Sequence, residues 1–447
     1  MSEYSMHQSP YDYKLLSFII TSHHHLKPID VTQNISMFEI VEELHSPTLS
    51  GSFIMVDDMR FFDGVRFNGT EKCEITLSSP APDGVPITLN FIIRHLKGSQ
   101  KVQDQKEMLD FSIVEETGFN NEIRKLSKAY SGTSPEIISK ILKDGLGLDL
   151  EFPQIKPAQS PIKIVVPFMS PFQACNWVLG RMSTSNGMPY FLFRTIKSKK
   201  IQLKSLEEML TTNPWNKSPY VFSIANAQSQ PQASGTIDSV NLFNVEEYHD
   251  ASASGMLHNI SSGTIGSRHT VTDVTSGQTE TFQMNVNSLF DELQNTNVIT
   301  EEEKPLLHTN YSFQDQELAN HNSLNIHRVV LNNTYNDYKN IYEEDTKASF
   351  RLDAVSGVVK SLMRGSRIEV AVPGSPFLVD EHNRTLGTRF NFHYVANKTD
   401  PEENEDGSIM KDLERSGIYT IHSARHLFFE QKHKTTLLGF KLGREKT

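Results

Sequence analysis

The sequence predicts a mainly β chain of the α+β class. Three observations carry that reading. Short apolar runs with period-two alternation recur towards both ends of the chain, and helical periodicity replaces them between Gly118 and Pro219. A Gly-, Ser-, Thr-, Asn- and Asp-rich stretch from residue 250 then interrupts the second β region.

The first β region spans 10–118. Met37 to Val41 and Phe53 to Val56 are apolar runs bounded by turn-forming residues such as Ser50-Gly51. Cys73, Ile75 and Leu77 alternate with polar neighbours, as do Ile87, Leu89 and Phe91, and later Leu109, Phe111 and Ile113. Such alternation lays one apolar face on a core. Pro80 to Gly84 supplies turn chemistry between two of these strands. Several short strands of this kind make a sandwich or a barrel.

A small α/β domain is expected over 119–218. Ser134 followed by Pro135 marks a helix start, with Ile137, Ile138, Ile141 and Leu142 on one face and Gly145 as the stop. Ser170-Pro171 repeats the punctuation ahead of Ala174, Cys175, Val178, Leu179 and Met182. Tyr190 to Phe193 and Ile201 to Leu203 read as strands, and Ser205 with Glu208 fits a capping box on a short helix.

The second β region is split into 219–249 and 345–447. Its strands are expected at Tyr220 to Ile224, Thr236 to Glu247, Ala348 to Leu352, Arg367 to Val372, Gly417 to Ile421 and Thr436 to Phe440, with Arg364-Gly365-Ser366 as a turn. An inserted lobe occupies 250–344. Its portion up to 322 reads as β-poor and packed on a partner, because so long a bare loop is unusual. Residues 400–412 form an acidic, glycine-containing loop.

The bulk numbers exclude several classes. At 447 residues the chain exceeds one ordinary core. The net charge of −11 argues against a protein that grips a phosphate backbone through clustered Lys and Arg, while suiting a surface past which nucleic acid slides. The two cysteines, Cys73 and Cys175, sit far apart within apolar patterns and read as buried thiols in a reducing compartment. The N-terminus carries acids early, and its apolar run from Leu15 to Ile20 is short. Neither a secretory leader nor a membrane span is expected, and the chain is expected to be made and used in soluble form.

A search for chemistry returns little. There is no G-x-S-x-G, H-E-x-x-H, Walker or C-x-x-C pattern. Gly145-Leu146-Gly147 lacks the third glycine of a dinucleotide loop and follows a helix. His23-His24-His25 tempts a metal reading, but adjacent strand residues point to opposite faces, so a solvated strand end is the better one. Glu402 to Gly407 imitates a calcium loop, yet its twelfth position is Leu413 where a bidentate Glu belongs. The pairs Glu115-Glu116 and Glu207-Glu208 read as surface carboxylates, and Asp57-Asp58 as the end of a strand. No residue is therefore assigned a catalytic, cofactor-binding or metal-binding role, and no cofactor is expected.

Three stretches carry a resemblance. Ser46-Pro47-Thr48-Leu49-Ser50-Gly51-Ser52-Phe53-Ile54-Met55-Val56-Asp57, continuing to Phe67-Asn68-Gly69-Thr70-Glu71, is similar to the opening strands of the central hub proteins of contractile phage-tail baseplates. Ser170 to Leu179 with Tyr190 to Phe193 resembles that family's helix and aromatic strand in its small inserted domain. Ser416-Gly417-Ile418-Tyr419-Thr420-Ile421, then Arg425-His426 and a last strand, resembles its closing hairpin. The spikes of type VI secretion share this hub fold. The three stretches are spread from about residue 15 to residue 443, and their order and spacing carry the match.

The resemblance implies two tube-type β-barrels in each subunit and a homotrimeric ring that adapts a threefold spike to a sixfold tail tube. The spike would be a separate protein below, because this chain ends soon after the second barrel at Thr447. Tail-tube or tube-initiator proteins would lie above and baseplate wedge proteins around. DNA would pass through the lumen without specific binding, and nothing would insert into a membrane. The expected location is the virion, after assembly in the bacterial cytoplasm. Two other readings compete: a β-sandwich host-surface binder using the 250–344 lobe, and a tail-associated cell-wall hydrolase using the carboxylates of the second half.

Overall fold

The computed structural model describes residues 9–23, 27–58, 67–79, 84–103, 106–158, 162–216, 218–222, 243–252, 255–274, 277–300, 303–307, 309–330, 342–379, 385–395 and 411–445. Strands β1 (Lys14–Thr21), β2 (Ile29–Asp30), β3 (Ile35–Glu43), β4 (Ser50–Asp57), β5 (Lys72–Ser78), β6 (Ile87–Gln103) and β7 (Lys106–Glu115) make up the first β region. They pair in the order β2-β1-β5-β6-β7-β4-β3, antiparallel throughout. The expected alternation is present: Phe38, Ile40, Phe53, Met55, Cys73, Ile75, Leu77, Leu109, Phe111 and Ile113 are all buried in one core. Each such side chain stabilises the fold by roughly 1.5–3 kcal/mol. Ser50 and Gly51 lie inside β4, not in a turn. A Cβ on Gly51 would stand 2.2 Å from the Glu39 carbonyl oxygen, so glycine is there for close strand approach.

The small α/β unit contains α1 (Glu116–Ile123), β8 (Leu126–Gly132), α2 (Ser134–Leu146), β9 (Leu150–Glu151), β10 (Ile162–Met169), α3 (Pro171–Leu179), β11 (Tyr190–Phe193), β12 (Ile201–Ser205) and α4 (Leu206–Leu210). Ile137, Ile138, Ile141 and Leu142 pack with Ala174, Cys175 and Val178 in its core, as their spacing predicts. Two end signals shift slightly. The cap of α2 is Thr133, in a capping box with Glu136, so Ser134 and Pro135 fall in the first turn. The stop is Gly147, at φ +68°. Gly145 instead admits Pro171 of α3, whose Cγ would lie 2.5 Å from an added Cβ. Ser170 caps α3 in a box with Gln173.

The rest of the chain comprises β13 (Tyr220–Phe222), β14 (Glu247–Asp250), α5 (Met256–Ser261), β15 (Gly266–Asp273), β16 (Thr279–Asn285), α6 (Val286–Asn295), β17 (Glu303–Pro305), β18 (Ser312–Phe313), β19 (Gln316–Glu317), β20 (Leu324–Val330), α7 (Tyr342–Gly365), β21 (Arg367–Pro373), α8 (Ser375–Val379), β22 (Arg389–Tyr394), β23 (Gly417–Phe429), β24 (Lys432–Phe440) and β25 (Gly443–Glu445). Two expectations fail here. Ala348 to Leu352 belong to α7, and Arg364-Gly365 ends that helix. Ala348, Phe350 and Leu352 imitate a strand period, but the face formed by Ala354, Val355, Val358, Val359, Leu362 and Met363 is helical and buried. The stretch to 322 is not β-poor: its β15 and β16 form a sheet with the following β20, covered by α6. Its threonines are strand residues: Thr270 faces Thr281 and Thr272 faces Thr279 with hydroxyl contacts at 3.3 and 3.1 Å. Most of the expected strand from Thr236, residues 80–83 of the proline-rich turn, and residues 400–410 of the acidic loop lie outside the described residues.

The lobe shares one continuous core with the second β region, from Phe282 and Leu289 through Val359 to Phe390 and Tyr419. β23 then pairs with β3, so both β regions belong to one thirteen-stranded sheet, β14-β21-β24-β23-β3-β4-β7-β6-β5-β1-β2, with β22 and β13 branching from β23. The mainly β class is thus as predicted. The pairing traces no closed barrel among the described residues, and there no helix is long and apolar enough to cross a membrane.

Candidate functional site

β23 is the element on which both β regions meet. Its first residues pair with β22, its later ones with β3 from Ser423 to Phe429, and β24 runs alongside both segments. Gly417, Tyr419 and Ile421 are buried before a bulge at His422, whereas Ala424, His426 and Phe428 are buried after it. One extra residue reverses the parity of a strand. The extra residue keeps Ile421, Ala424, His426 and Phe428 on one face of the sheet despite their change of parity, opposite Gly439, Leu437, Thr435 and His433 of the unbulged β24. Along that face Tyr419, Ile421 and Ala424 join the second core and Phe428 the first. Phe428 stacks on Phe38 of β3 with ring centroids 4.4 Å apart.

Polar side chains are buried along the same seam. Glu42 of β3, His426 of β23 and His433 of β24 are at most 1% exposed. Glu42 Oε1 accepts the Ile196 amide at 2.5 Å, which ties the small α/β unit to the seam. Its other oxygen has no hydrogen-bond partner. His426 Nδ1 lies 3.1 Å from both His433 Nε2 and Thr435 Oγ1, and His426 Nε2 is 3.8 Å from Glu42 Oε1. Burial pushes the Glu42 carboxyl up to about 7 and the His426 imidazole down to about 3. Burial, reinforced by His426, also takes His433 well below the usual histidine value. Both imidazoles are therefore neutral at neutral pH, and the 3.8 Å contact is no ion pair. A cavity of about 10 Å³ beside Glu42 and His426 is at the lower limit for one water molecule.

Two further joints flank this one. Arg194, just after β11, donates to Glu115 Oε1 at 2.6 Å, while Glu115 Oε2 accepts the Leu49 amide at 3.1 Å. Burial raises the Glu115 carboxyl although Arg194 pulls it the other way. The His45 and His422 rings lie 5.1 Å apart where β3, β11 and β23 meet. Burial, with Arg367, His45 and Arg364 adding to it, depresses His422 to about 3.

The carboxylate pairs singled out in the sequence fall into different places. Glu115 is in the joint just described, and Glu116 binds Lys72 at 2.7 Å on the surface. Glu207 accepts from Asn186 at 2.9 Å, while Glu208 accepts the Ile155 amide at 2.6 Å. Asp57 ends β4 as expected. His24, His25 and the Glu402 to Gly407 segment lie outside the described residues. Cys73 and Cys175 are free and buried, and desolvation pushes both thiols far up, which removes them as thiolate nucleophiles. Among the described residues, no three His, Cys, Asp or Glu side chains gather to hold a metal ion. Sequence reasoning missed Glu42, His426 and His433. Their signal was present, since Glu42 occupies the inward parity of Phe38, Ile40 and Leu44.

The arrangement fastens three segments of chain together; it does not assemble a nucleophile, a base and an oxyanion pocket. No protein-family model and no curated protein matches the sequence. Solved structures do match. A tail protein from Neisseria meningitidis MC58 aligns over 96% of this chain and 97% of its own, at 13% identity and a TM-score of 0.50. The 43 kDa tail protein of prophage MuSo2 from Shewanella oneidensis aligns over 95% and 98%, at 8% identity and a TM-score of 0.51. At the level of fold these matches bear out the resemblance read from the sequence. The chain is built on the fold of these phage tail proteins.

Proposed function

We propose that this chain is a structural, non-catalytic phage-tail protein, the central hub of a contractile-tail baseplate. The carrying observation is the end-to-end likeness to two tail proteins, which accounts for nearly all of this chain and of both of them. Three copies form a closed ring. Each contributes two tube-type barrel domains, 10–118 and the split 219–249 with 345–447, together with the small domain 119–218 and the lobe 250–344. Six similar barrels meet a sixfold tail tube, while threefold rotation is kept for the spike.

The partners in this reading are a separate spike protein below, tube or tube-initiator proteins above and wedge proteins around. DNA crosses the lumen unheld, which the net charge of −11 supports. The protein is assembled in the host cytoplasm and ends in the virion. Its lack of catalysis is supported by the engagement of Glu42, Glu115 and Glu208 with backbone amides of distant segments. Light scattering coupled to size exclusion tests the ring. The expected mass is about three times 50.7 kDa for the chain alone, and that mass plus the spike's when the spike partner is bound. A strict monomer under both conditions overturns it.

A further inference from the structure

A cavity of about 230 Å³ lies where the lobe meets the second β region. Its wall includes Thr300 and Glu303 from the lobe, Arg389 of β22, Thr420 of β23, Lys441 after β24 and Asn213 after α4. A water molecule takes roughly 30 Å³ of liquid, so the space holds several waters or one small polyatomic ion.

Arg389 is the informative wall residue. Its Nη1 donates to the carbonyl oxygens of Leu210 at 2.6 Å and Thr212 at 3.2 Å, which fixes the plane of the guanidinium. Its Nε is buried and has no hydrogen-bond partner. Arginine recognises carboxylates and phosphates side-on, through parallel N–H bonds that include the Nε edge. A guanidinium anchored through Nη1 with that edge unfilled is preorganised for an oxyanion. Charge agrees: Arg389 and Lys441 against Glu303 leave the wall one positive charge in excess, in a chain whose total is −11. Burial disfavours the charged form of Arg389, Glu303 across the wall offsets part of that penalty, and a bound anion would offset more.

We propose that this cavity binds one small free oxyanion of carboxylate or phosphate type, gripped side-on by Arg389, and that the ion joins the lobe to the second β region. The inference stands on the geometry of a single chain and does not depend on the hub assignment.

Calorimetric titration of the full chain with inorganic phosphate, and separately with acetate, in chloride at constant ionic strength tests it. At least one anion should bind saturably at one site per chain, and the comparison of the two identifies the preferred chemistry. R389K keeps the charge but loses the side-on pair, and should bind roughly ten- to a hundredfold more weakly. N213D places a negative charge on an exposed part of the wall and should weaken binding in the same direction. If R389K does not fold, N213D decides alone. Absence of saturable binding to either anion overturns the proposal. So does binding that a folded R389K or N213D leaves unchanged, the mark of an adventitious ion only.

Discussion

Glu42, His426 and His433 oppose one another in their response to pH. The raised Glu42 carboxyl contributes stability that is present below its unfolded value of 4.5 and lost as pH rises through about 7. The depressed imidazoles contribute stability that is present above 6.5 and lost as pH falls, through about 3 for His426 and well below 6.5 for His433. Between pH 6.5 and 4.5 two histidines act against one carboxylate, so acid should weaken the seam with a net slope of about one proton. Glu42→Gln removes the opposing member. Its melting temperature should fall more steeply between pH 7 and 5 than that of the parent, by circular dichroism; parallel curves would contradict the assignment. Arg194→Met leaves the Glu115 carboxylate buried without its cation. The expected cost is roughly 3 kcal/mol in urea, kept to the low end of buried-pair values because the Arg194 side chain is 19% exposed. A loss within about 0.5 kcal/mol, normal for a surface site, would show the joint to be dispensable. Inward parity marks Glu42 as buried, but its role was hard to read in the sequence because it rests on a partner 154 positions away, the Ile196 amide.

Helices and strands were more legible where local chemistry decides them. The serine and proline punctuation ahead of α2 and α3 placed the starts of both helices to within a residue, because capping is settled by three or four neighbouring positions, whereas the stop of α2 lies two residues beyond the expected Gly145. The start of α7 was misread because Ala348 to Leu352 satisfies a strand period locally and only the following three turns reveal the helical face. Gly51 was taken for a turn residue because glycine in a turn and glycine at a close strand crossing look alike in sequence. Gly51→Ala should therefore destabilise the chain by about 1–3 kcal/mol or more, since its methyl meets the Glu39 carbonyl. Unchanged denaturant unfolding would refute the close approach.

On the scale of the whole molecule, the order of elements was readable: strands, then helices alternating with strands, then strands again towards the C-terminal end. The fusion of both β regions into one sheet was not, since strand pairing between residues 37–43 and 423–429 leaves no local trace. That fusion gives a single chain two β units fixed in relation to each other, the geometry required of a part that repeats three times around an axis. Class averages of the purified oligomer by electron microscopy test this most directly. The account predicts a threefold ring with a central opening and six similar lobes of density around it. Particles without rotational symmetry, or a compact body with no opening, would contradict it.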